Sequence, residues 1–193
     1  MPAGAVFDDH GRPIEDVGSV QKGVVGLLVG LAHHRALLEL DEPVTRYLGD
    51  GWTRATSEQG GRVTVRHLMS MSSGLSRQLD YEAGPNQAWY YNTQVYSRLF
   101  DVLTRVSGLQ PSDYTDAWLT RPLGMQHTQW ALRDSGPNRY GLTTTARDLA
   151  RIGLLMQTRG VWRGQRLVAD DVIGHSFESS HPMNPAYGLL WWV

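Results

Sequence analysis

The chain has 193 residues, of which 41% are hydrophobic and 19% are charged, and its net charge is −1. This balance is typical of a folded domain with a sizeable core, and it excludes disordered and collagen-like chains. The near-neutral charge argues against nucleic-acid binding, and the absence of cysteine excludes disulfides and thiolate metal sites.

The beginning of the chain, MPAGAVFDDHGRP, lacks a basic segment followed by an apolar one, so no signal peptide is predicted. The longest apolar run, from Gly23 to Ala32, has ten residues, whereas a membrane-spanning helix needs about 20. We therefore predict a buried helix here and no membrane span. The compartment stays open: the chain as it stands fits the cytoplasm, and a periplasmic or secreted location requires a preceding segment.

The first half of the chain is predicted to contain a short strand, a turn and two helices. Residues 5–18 predict a short strand, a turn at His10-Gly11 and an extended segment that leads into a helix over about 19–40. GRVTVRHLMSMSSGL predicts a second helix, which is capped by Thr64 and ends at Gly74.

The second half is predicted to be mainly helical after a long aromatic loop over residues 76–91. NTQVYSRLFDVLTRVSG predicts an amphipathic helix that ends at Gly108. Short helices are expected over 112–120 and 170–177, and TTTARDLARIGLLMQTRG predicts a longer helix with threonine caps. The last segment, AYGLLWWV, predicts the start of a β-strand.

Three glycines of the first helix, Gly23, Gly26 and Gly30, fall at positions i, i+3 and i+7 and therefore share one face. Each glycine costs about 1 kcal/mol relative to alanine in a helix. Three such costs on a single face predict that another part of the chain packs very close to this helix.

Ser19 and Lys22 stand at the start of the same helix, one turn apart on one face. A serine hydroxyl is a weak nucleophile until a base removes its proton. Lysine can accept that proton only as the neutral amine, which burial and the positive end of the helix dipole both favour. The helix terminus also offers a backbone N–H group to a developing oxyanion. The pair is therefore a candidate acyl-transfer site.

Two interpretations of this pair stay open from the spacing alone. A serine three residues before a lysine also arises by chance at the start of an ordinary helix. However, Lys22 is the only lysine among 18 Lys and Arg residues. Because arginine stays charged and cannot act as a base, the single lysine favours a site that arginine cannot fill.

The segment QAWYYNTQVY places Tyr90, Tyr91 and Asn92 where the aromatic loop enters a helix. A tyrosine there can relay a proton to a leaving group, and an asparagine amide can bind both a lysine and a substrate carbonyl. The alternative is structural: the aromatic loop closes over the core, and Asn92 caps the helix.

Six segments in chain order carry a family resemblance: SVQKG, VTVRHLMSMSSGL, WYYNTQVY, GLTTTARDLARIGLLM, GVWRG and NPAYGLLWWV. Together they resemble the serine hydrolases of the class C β-lactamase and penicillin-binding-protein type, which include DD-peptidases, esterases and amide hydrolases. The resemblance runs from about Gly18 to Val193. It implies an α+β fold of the β-lactamase/transpeptidase-like type, represented here mainly by the helical lobe with a reduced antiparallel sheet.

The resemblance also implies roles for the two motifs. Ser19 is then the acylated nucleophile, and Lys22 is its base or proton shuttle. Tyr90 and Asn92 match the Y-x-N motif: Tyr90 takes the acid/base role, Asn92 holds the hydrogen-bond network, and Tyr91 fills the variable middle position.

The family's third motif, K-T-G or H-T-G or a relaxed form, belongs to a strand that lies beyond AYGLLWWV. We therefore expect residues 1–193 to form a single β-lactamase-like domain that is incomplete at both ends, with sheet strands missing. Open strand edges are expected to invite self-association.

Other polar groups are expected to be structural. The serines of SMSSGLS belong to a helix end, and the chain has no G-x-S-x-G elbow. His33-His34 are adjacent and so cannot form an i, i+4 metal pair. Neither His175 nor His181 is identified as a base for a deacylating water.

These observations predict an active-site-serine hydrolase that acts through an acyl-enzyme on an ester, amide or β-lactam carbonyl. Its partner is a small-molecule substrate, and it needs no metal or organic cofactor. The alternative is a non-catalytic relic or ligand-binding module of the same fold that lacks the third motif.

Overall fold

The computed structural model describes residues 6–133 and 140–193. Helices make up most of the described secondary structure, and a small antiparallel sheet packs against them, which confirms the predicted α+β class. None of the described helices has the length and apolarity that crossing a membrane requires. The described elements are β1 (Val6–Phe7), β2 (Pro13–Asp16), a 3-10 turn (Gly18–Val20), α1 (Gln21–His34), α2 (Thr45–Leu48), α3 (Ser57–Gly60), α4 (Val65–Met69), α5 (Thr93–Tyr96), α6 (Arg98–Ser107), α7 (Pro111–Thr115), a π-helical turn (Asp116–Thr120), α8 (Arg121–Leu123), β3 (Gln129–Leu132), β4 (Tyr140–Thr144), α9 (Ala146–Gln157), β5 (Val161–Trp162), β6 (Gln165–Arg166) and α10 (Asp170–Ser176).

The main sheet is antiparallel, with the strand order β1-β2-β4-β3. β1 and β2 form a hairpin around the predicted turn, and Gly11 in that turn has a φ of 72°. β4 lies between β2 and β3 and pairs with β2 at Glu15 and Thr144. Because β2 leads directly into the turn that contains Ser19, this pairing holds the start of α1 beside the sheet.

α1 is the central helix, and its residues Gln21–Ala32 are buried. It packs against α6 and α10. A Cβ added at Gly23 would lie 2.8 Å from the Trp191 ring, and one at Gly30 would lie 2.9 Å from Val172. Carbon atoms in contact are normally about 3.5–4.0 Å apart. The close packing predicted from the glycine spacing is therefore confirmed.

Side-chain caps begin two helices where the sequence predicts them. The Thr64 hydroxyl accepts a hydrogen bond from the His67 backbone N–H at 3.3 Å, and the His67 ring accepts one from the Thr64 backbone N–H at 3.0 Å. At the start of α9, the Thr145 hydroxyl accepts from the Asp148 backbone N–H at 3.2 Å. Gly108 ends α6 with a φ of 71°, a left-handed conformation that glycine adopts without steric cost.

Three helix boundaries differ from the prediction. α4 ends at Met69 and not at Gly74, because the chain turns at Met71 with a φ of 61°. α1 ends at His34 and not near residue 40, because the chain turns at Ala36 with a φ of 55°. The helix expected over NTQVYSRLFDVLTRVSG is interrupted at Ser97 into α5 and α6. The Ser97 hydroxyl donates to the Thr93 carbonyl at 2.7 Å, a local bond that commonly bends a helix.

The prediction of a strand at AYGLLWWV is wrong, because this segment folds back on itself as a turn. The Gly188 N–H donates to the Trp191 carbonyl at 2.8 Å, and an isolated bridge joins Tyr187 to Trp192. Leu190 takes a left-handed conformation, with a φ of 67°, and its N–H donates to the Met69 carbonyl at 3.0 Å. Tertiary contact with α4 therefore decides the shape of this apolar segment.

Candidate active site

Ser19 and Lys22 come together at the junction between the sheet and the central helix. Ser19 is exposed in the 3-10 turn that follows β2, whereas Lys22, in the first turn of α1, is only 2% exposed. Lys22 Nζ donates a hydrogen bond to Ser19 Oγ at 3.2 Å. When the amine is neutral, the same contact lets the hydroxyl pass its proton to nitrogen. The structure therefore joins a solvent-accessible hydroxyl to a buried amine.

Gln21 anchors this junction to the sheet, a role that the sequence analysis did not predict. Its side-chain amide donates to the Tyr140 carbonyl and accepts from the Leu142 backbone N–H, both at 3.1 Å. The Val17 N–H adds a bond to the Leu142 carbonyl at 3.0 Å. The buried Gln21 amide thus bonds to the backbone of β4 and ties the start of α1 to the sheet. The signal for this role in the sequence was a second polar residue, beside Lys22, at the start of an otherwise apolar helix.

Two tyrosine rings enclose the end of the Lys22 side chain. Lys22 Nζ lies 4.8 Å from the centre of the Tyr91 ring and 4.9 Å from the centre of the Tyr96 ring. An aromatic face at this distance stabilises an ammonium group. Burial raises the pKa of Tyr96 far above its ordinary value, so the Tyr96 hydroxyl stays neutral. The surroundings of the amine therefore combine desolvation with two aromatic faces.

Tyr91 belongs to an aromatic cluster with Trp89, Tyr187 and Trp192. Trp192 stacks on Tyr91, with ring centres 6.0 Å apart and planes inclined by 24°. Tyr187 meets Tyr91 edge-on at 6.1 Å, and Trp89 lies between 5.5 and 6.5 Å from the other three rings. The turn formed by residues 186–193 therefore packs on the same tyrosine that covers Lys22.

Tyr90, the tyrosine assigned to the acid/base role by resemblance, contacts Arg77. It is 38% exposed, and its hydroxyl accepts a hydrogen bond from Arg77 Nε. In the described parts of the chain, no hydrogen bond or ring contact joins Tyr90 to Ser19 or Lys22. The structure brings Lys22 together with Tyr91 instead, which the sequence analysis left as the variable middle position.

Asn92 is buried and acts as the N-cap of α5. Its side-chain carbonyl accepts from the backbone N–H groups of Gln94 and Val95, both at 3.2 Å. Its side-chain nitrogen donates to the Leu75 carbonyl at 2.8 Å. This is the capping alternative raised by the sequence. Among the described residues, no hydrogen bond joins Asn92 to Lys22. The network role that the family resemblance implies for Asn92 therefore stays a prediction.

A cavity of about 460 Å³ lies beside Tyr91. The residues that line it are Arg77, Gln78, Tyr91, Thr93 and Gln94. Tyr91 also contacts Lys22, so the cavity and the Ser19–Lys22 pair share Tyr91 as a neighbour, although neither Ser19 nor Lys22 lines the cavity.

Several serines and histidines that were considered from the sequence have structural partners. The Ser70 and Ser72 hydroxyls bond to each other at 2.7 Å, as expected for a helix end. His67 belongs to the Thr64 capping pair, and burial lowers its pKa. The His181 ring lies 3.0 Å from the Asn86 carbonyl. Among the residues with described positions, His, Asp and Glu form no group of three that could hold a metal ion.

Comparison with known proteins identifies the class of this fold. A family model described as beta-lactamase matches residues 14–193, and the chain therefore belongs to the beta-lactamase family. An uncharacterized protein from Alkalihalophilus pseudofirmus is 25% identical over 206 residues, which cover 92% of this chain and 60% of that protein. The chain thus spans about 60% of the length of the curated relative it matches.

Solved structures with the same fold include proteins named as a beta-lactamase, an amidohydrolase and a penicillin-binding protein homologue. A candidate beta-lactamase from Bacteroides dorei is 18% identical, with a TM-score of 0.82, and the match covers 94% of this chain and 66% of that one. A D-stereospecific amidohydrolase from Streptomyces is 17% identical, with a TM-score of 0.75 and coverage of 93% and 71%. An octameric penicillin-binding protein homologue from Pyrococcus abyssi is 20% identical, with a TM-score of 0.71 and coverage of 93% and 53%. The predicted β-lactamase/transpeptidase-like fold is confirmed.

Proposed function

We propose that this chain carries the nucleophilic part of an active-site-serine hydrolase that acts on an ester, amide or β-lactam carbonyl. The observation that carries the proposal is the 3.2 Å contact between Lys22 Nζ and Ser19 Oγ, in which the amine is buried and the hydroxyl exposed. Membership of the beta-lactamase family supports it. The position of the pair where a buried helix begins supports it further, because the positive end of the helix dipole favours a developing oxyanion there.

In the proposed first step, Ser19 Oγ attacks the carbonyl carbon while its proton passes to the neutral Lys22 amine. The ammonium that forms lies against the Tyr91 and Tyr96 rings, whose faces stabilise the positive charge. The tetrahedral intermediate then expels an alcohol or amine, which takes up this proton, and Ser19 is left acylated. Water hydrolyses the acyl-enzyme, restores the serine hydroxyl and releases the acid.

The contacts favour Tyr91 over Tyr90 as the tyrosine of this reaction. Tyr91 touches Lys22 and lines the cavity, whereas the Tyr90 hydroxyl is occupied by Arg77. A tyrosine in contact with both the base and the cavity can return the proton to the leaving group. We therefore assign the proposed acid role to Tyr91, and Asn92 supports the arrangement by holding the start of α5.

Esters and small amides are proposed ahead of β-lactams as substrates. The Streptomyces neighbour is named an amidohydrolase and the Bacteroides neighbour a candidate beta-lactamase, so the same fold serves more than one carbonyl substrate. The described lining of the cavity contains nothing specific to a β-lactam ring. The proposed partner is a small molecule, with self-association through the exposed β3 edge as a second proposed contact.

The decisive experiment is covalent labelling of the nucleophile. The protein is treated with a fluorophosphonate, and the adduct is located by mass spectrometry in wild type, in Ser19→Ala and in a control, Ser112→Ala, which removes another exposed serine. The proposal expects an adduct on Ser19 in wild type and in the control alone. A folded wild-type protein without an adduct at Ser19, or ester hydrolysis equal to that of Ser19→Ala, would overturn it and favour the non-catalytic binding module.

A further inference from the structure

Arg77 is an exposed cation with an incomplete set of partners. It follows the serine-rich end of α4, its Nε donates to the Tyr90 hydroxyl, and its guanidinium carbon lies 5.9 Å from the centre of the Tyr90 ring. Within the described parts of the chain, no carboxylate forms an ion pair with Arg77, and its two terminal nitrogens donate no hydrogen bond. The guanidinium is therefore oriented through Nε while its outer edge stays available.

The same guanidinium lines the cavity beside Tyr91. The other lining residues, Gln78, Thr93 and Gln94, are neutral and carry amide or hydroxyl donors. Arg77 is the only charged residue of this lining among the residues whose positions are described. The volume of about 460 Å³ falls within the range of pockets that hold small molecules, which is roughly 300–1,000 Å³.

We propose that this cavity binds the carboxylate of an anionic acyl substrate, with Arg77 as the charged contact. A guanidinium presents two parallel N–H groups that match a carboxylate, and the Tyr90 bond leaves that pair free. Tyr91 lines the cavity and contacts Lys22, and in this proposal a substrate held by its carboxylate extends past Tyr91 to place its scissile carbonyl at Ser19. This inference deepens the proposed hydrolase function and rests on it. Tyr90 then becomes a positioning residue that acts through Arg77.

The test measures binding without turnover, so that it does not depend on catalysis. In the Ser19→Ala protein, monomethyl glutarate, which carries one carboxylate, is compared with the neutral dimethyl glutarate by NMR titration. The anion is expected to bind about ten-fold tighter or more, as a hydrogen-bonded charge pair provides. Arg77→Gln is expected to remove this preference without changing the affinity for the diester.

Three further variants make the result specific. Arg54→Gln removes the same charge from a nearby exposed arginine that does not line the cavity, and it is expected to keep the preference. Arg77→Lys keeps the charge but cannot form a bidentate contact with a carboxylate. Tyr90→Phe removes the hydrogen bond that positions Arg77. Both variants are expected to weaken the preference for the anion while binding of the diester stays unchanged. Melting temperatures confirm that each variant is folded.

The outcomes separate this inference from the proposed function. A preference for the anion that survives Arg77→Gln, or no preference in the parent protein, overturns the carboxylate site. Failure of fluorophosphonate labelling overturns the hydrolase proposal but leaves the binding result intact. Labelling at Ser19 together with equal binding of the two esters supports the hydrolase proposal and overturns the proposed preference for an anionic substrate.

Discussion

Lys22 Nζ lies 4.8 Å from the centre of the Tyr91 ring, whereas the hydroxyl of the neighbouring Tyr90 is hydrogen-bonded to Arg77. Tyr90 turns to solvent and to Arg77. The Lys22 amine is therefore covered by Tyr91, the middle residue of the Y-x-N motif, to which the family resemblance gives no role.

Replacing Lys22 by arginine is expected to abolish activation of Ser19. Arginine retains the positive charge but cannot accept a proton, and a general base contributes on the order of 100- to 10,000-fold in rate. We expect the rate of fluorophosphonate labelling at Ser19 to fall by about 100-fold or more. Lys22→Met, which has a similar shape and no charge, serves as a second variant because it fits the buried site. A labelling rate in both folded variants close to that of wild type would rule out the lysine as base.

The two tyrosines are expected to differ in their effect on acylation. Tyr91→Phe removes the Tyr91 hydroxyl while it keeps the ring against the Lys22 amine, and the rate of acylation by a neutral p-nitrophenyl ester is expected to fall by about 100-fold. Tyr90→Phe is expected to change this rate less than about two-fold, since its hydroxyl contacts Arg77. Stopped-flow measurement of p-nitrophenol release compares them. The reverse order of effects would return the acid role to Tyr90.

The glycine face of α1 is expected to tolerate no side chain. In Gly23→Ala the new methyl group would lie 2.8 Å from the Trp191 ring, and overpacking of this kind costs about 1–3 kcal/mol. Gly153→Ala is the matched control, because it lies in the interior of α9 with nothing within 4 Å of its Cβ position. It is expected to stabilise the protein by about 1 kcal/mol. Urea unfolding of both variants measures the difference, and equal effects would contradict the packing argument.

The N-terminal hairpin is expected to lose stability in acid through Asp8. Burial raises the pKa of this carboxyl, but hydrogen bonds from the Arg12 and His10 backbones and from the Arg12 guanidinium outweigh burial and lower it from 3.8 to about 2. A lowered pKa contributes stability above the unfolded value of 3.8, and this contribution is lost as the pH falls through 2.

The measurement for Asp8 is the melting temperature of wild type and Asp8→Asn as a function of pH. The two proteins are expected to differ most at about pH 6 and to converge as the pH falls below 3.8 toward 2. Asp9→Asn, a change at the exposed neighbouring carboxyl, serves as the control. A difference between wild type and Asp8→Asn that is independent of pH would contradict the assigned pKa.

Local signals in the sequence predicted much of this structure. The N-terminal turn, the Thr64 and Thr145 caps and the Gly108 stop each depend on residues within one or two turns of one another. Strands β3 and β4 escaped prediction, because β4 is specified by pairing with β2, more than one hundred residues earlier in the chain. The terminal segment was predicted as a strand from its composition, although its turn depends on contact with Met69.

The sequence by itself determined the Ser19–Lys22 pair, because the three-residue spacing at a helix start dictates which side chains meet. It also determined that the glycine face must be closely covered. Only the tertiary structure decided that Trp191 covers Gly23 and that Tyr91 faces Lys22. Consecutive side chains in a non-helical segment point to opposite sides. Which of them faces inward depends on how the whole loop docks, and no local pattern encodes that orientation.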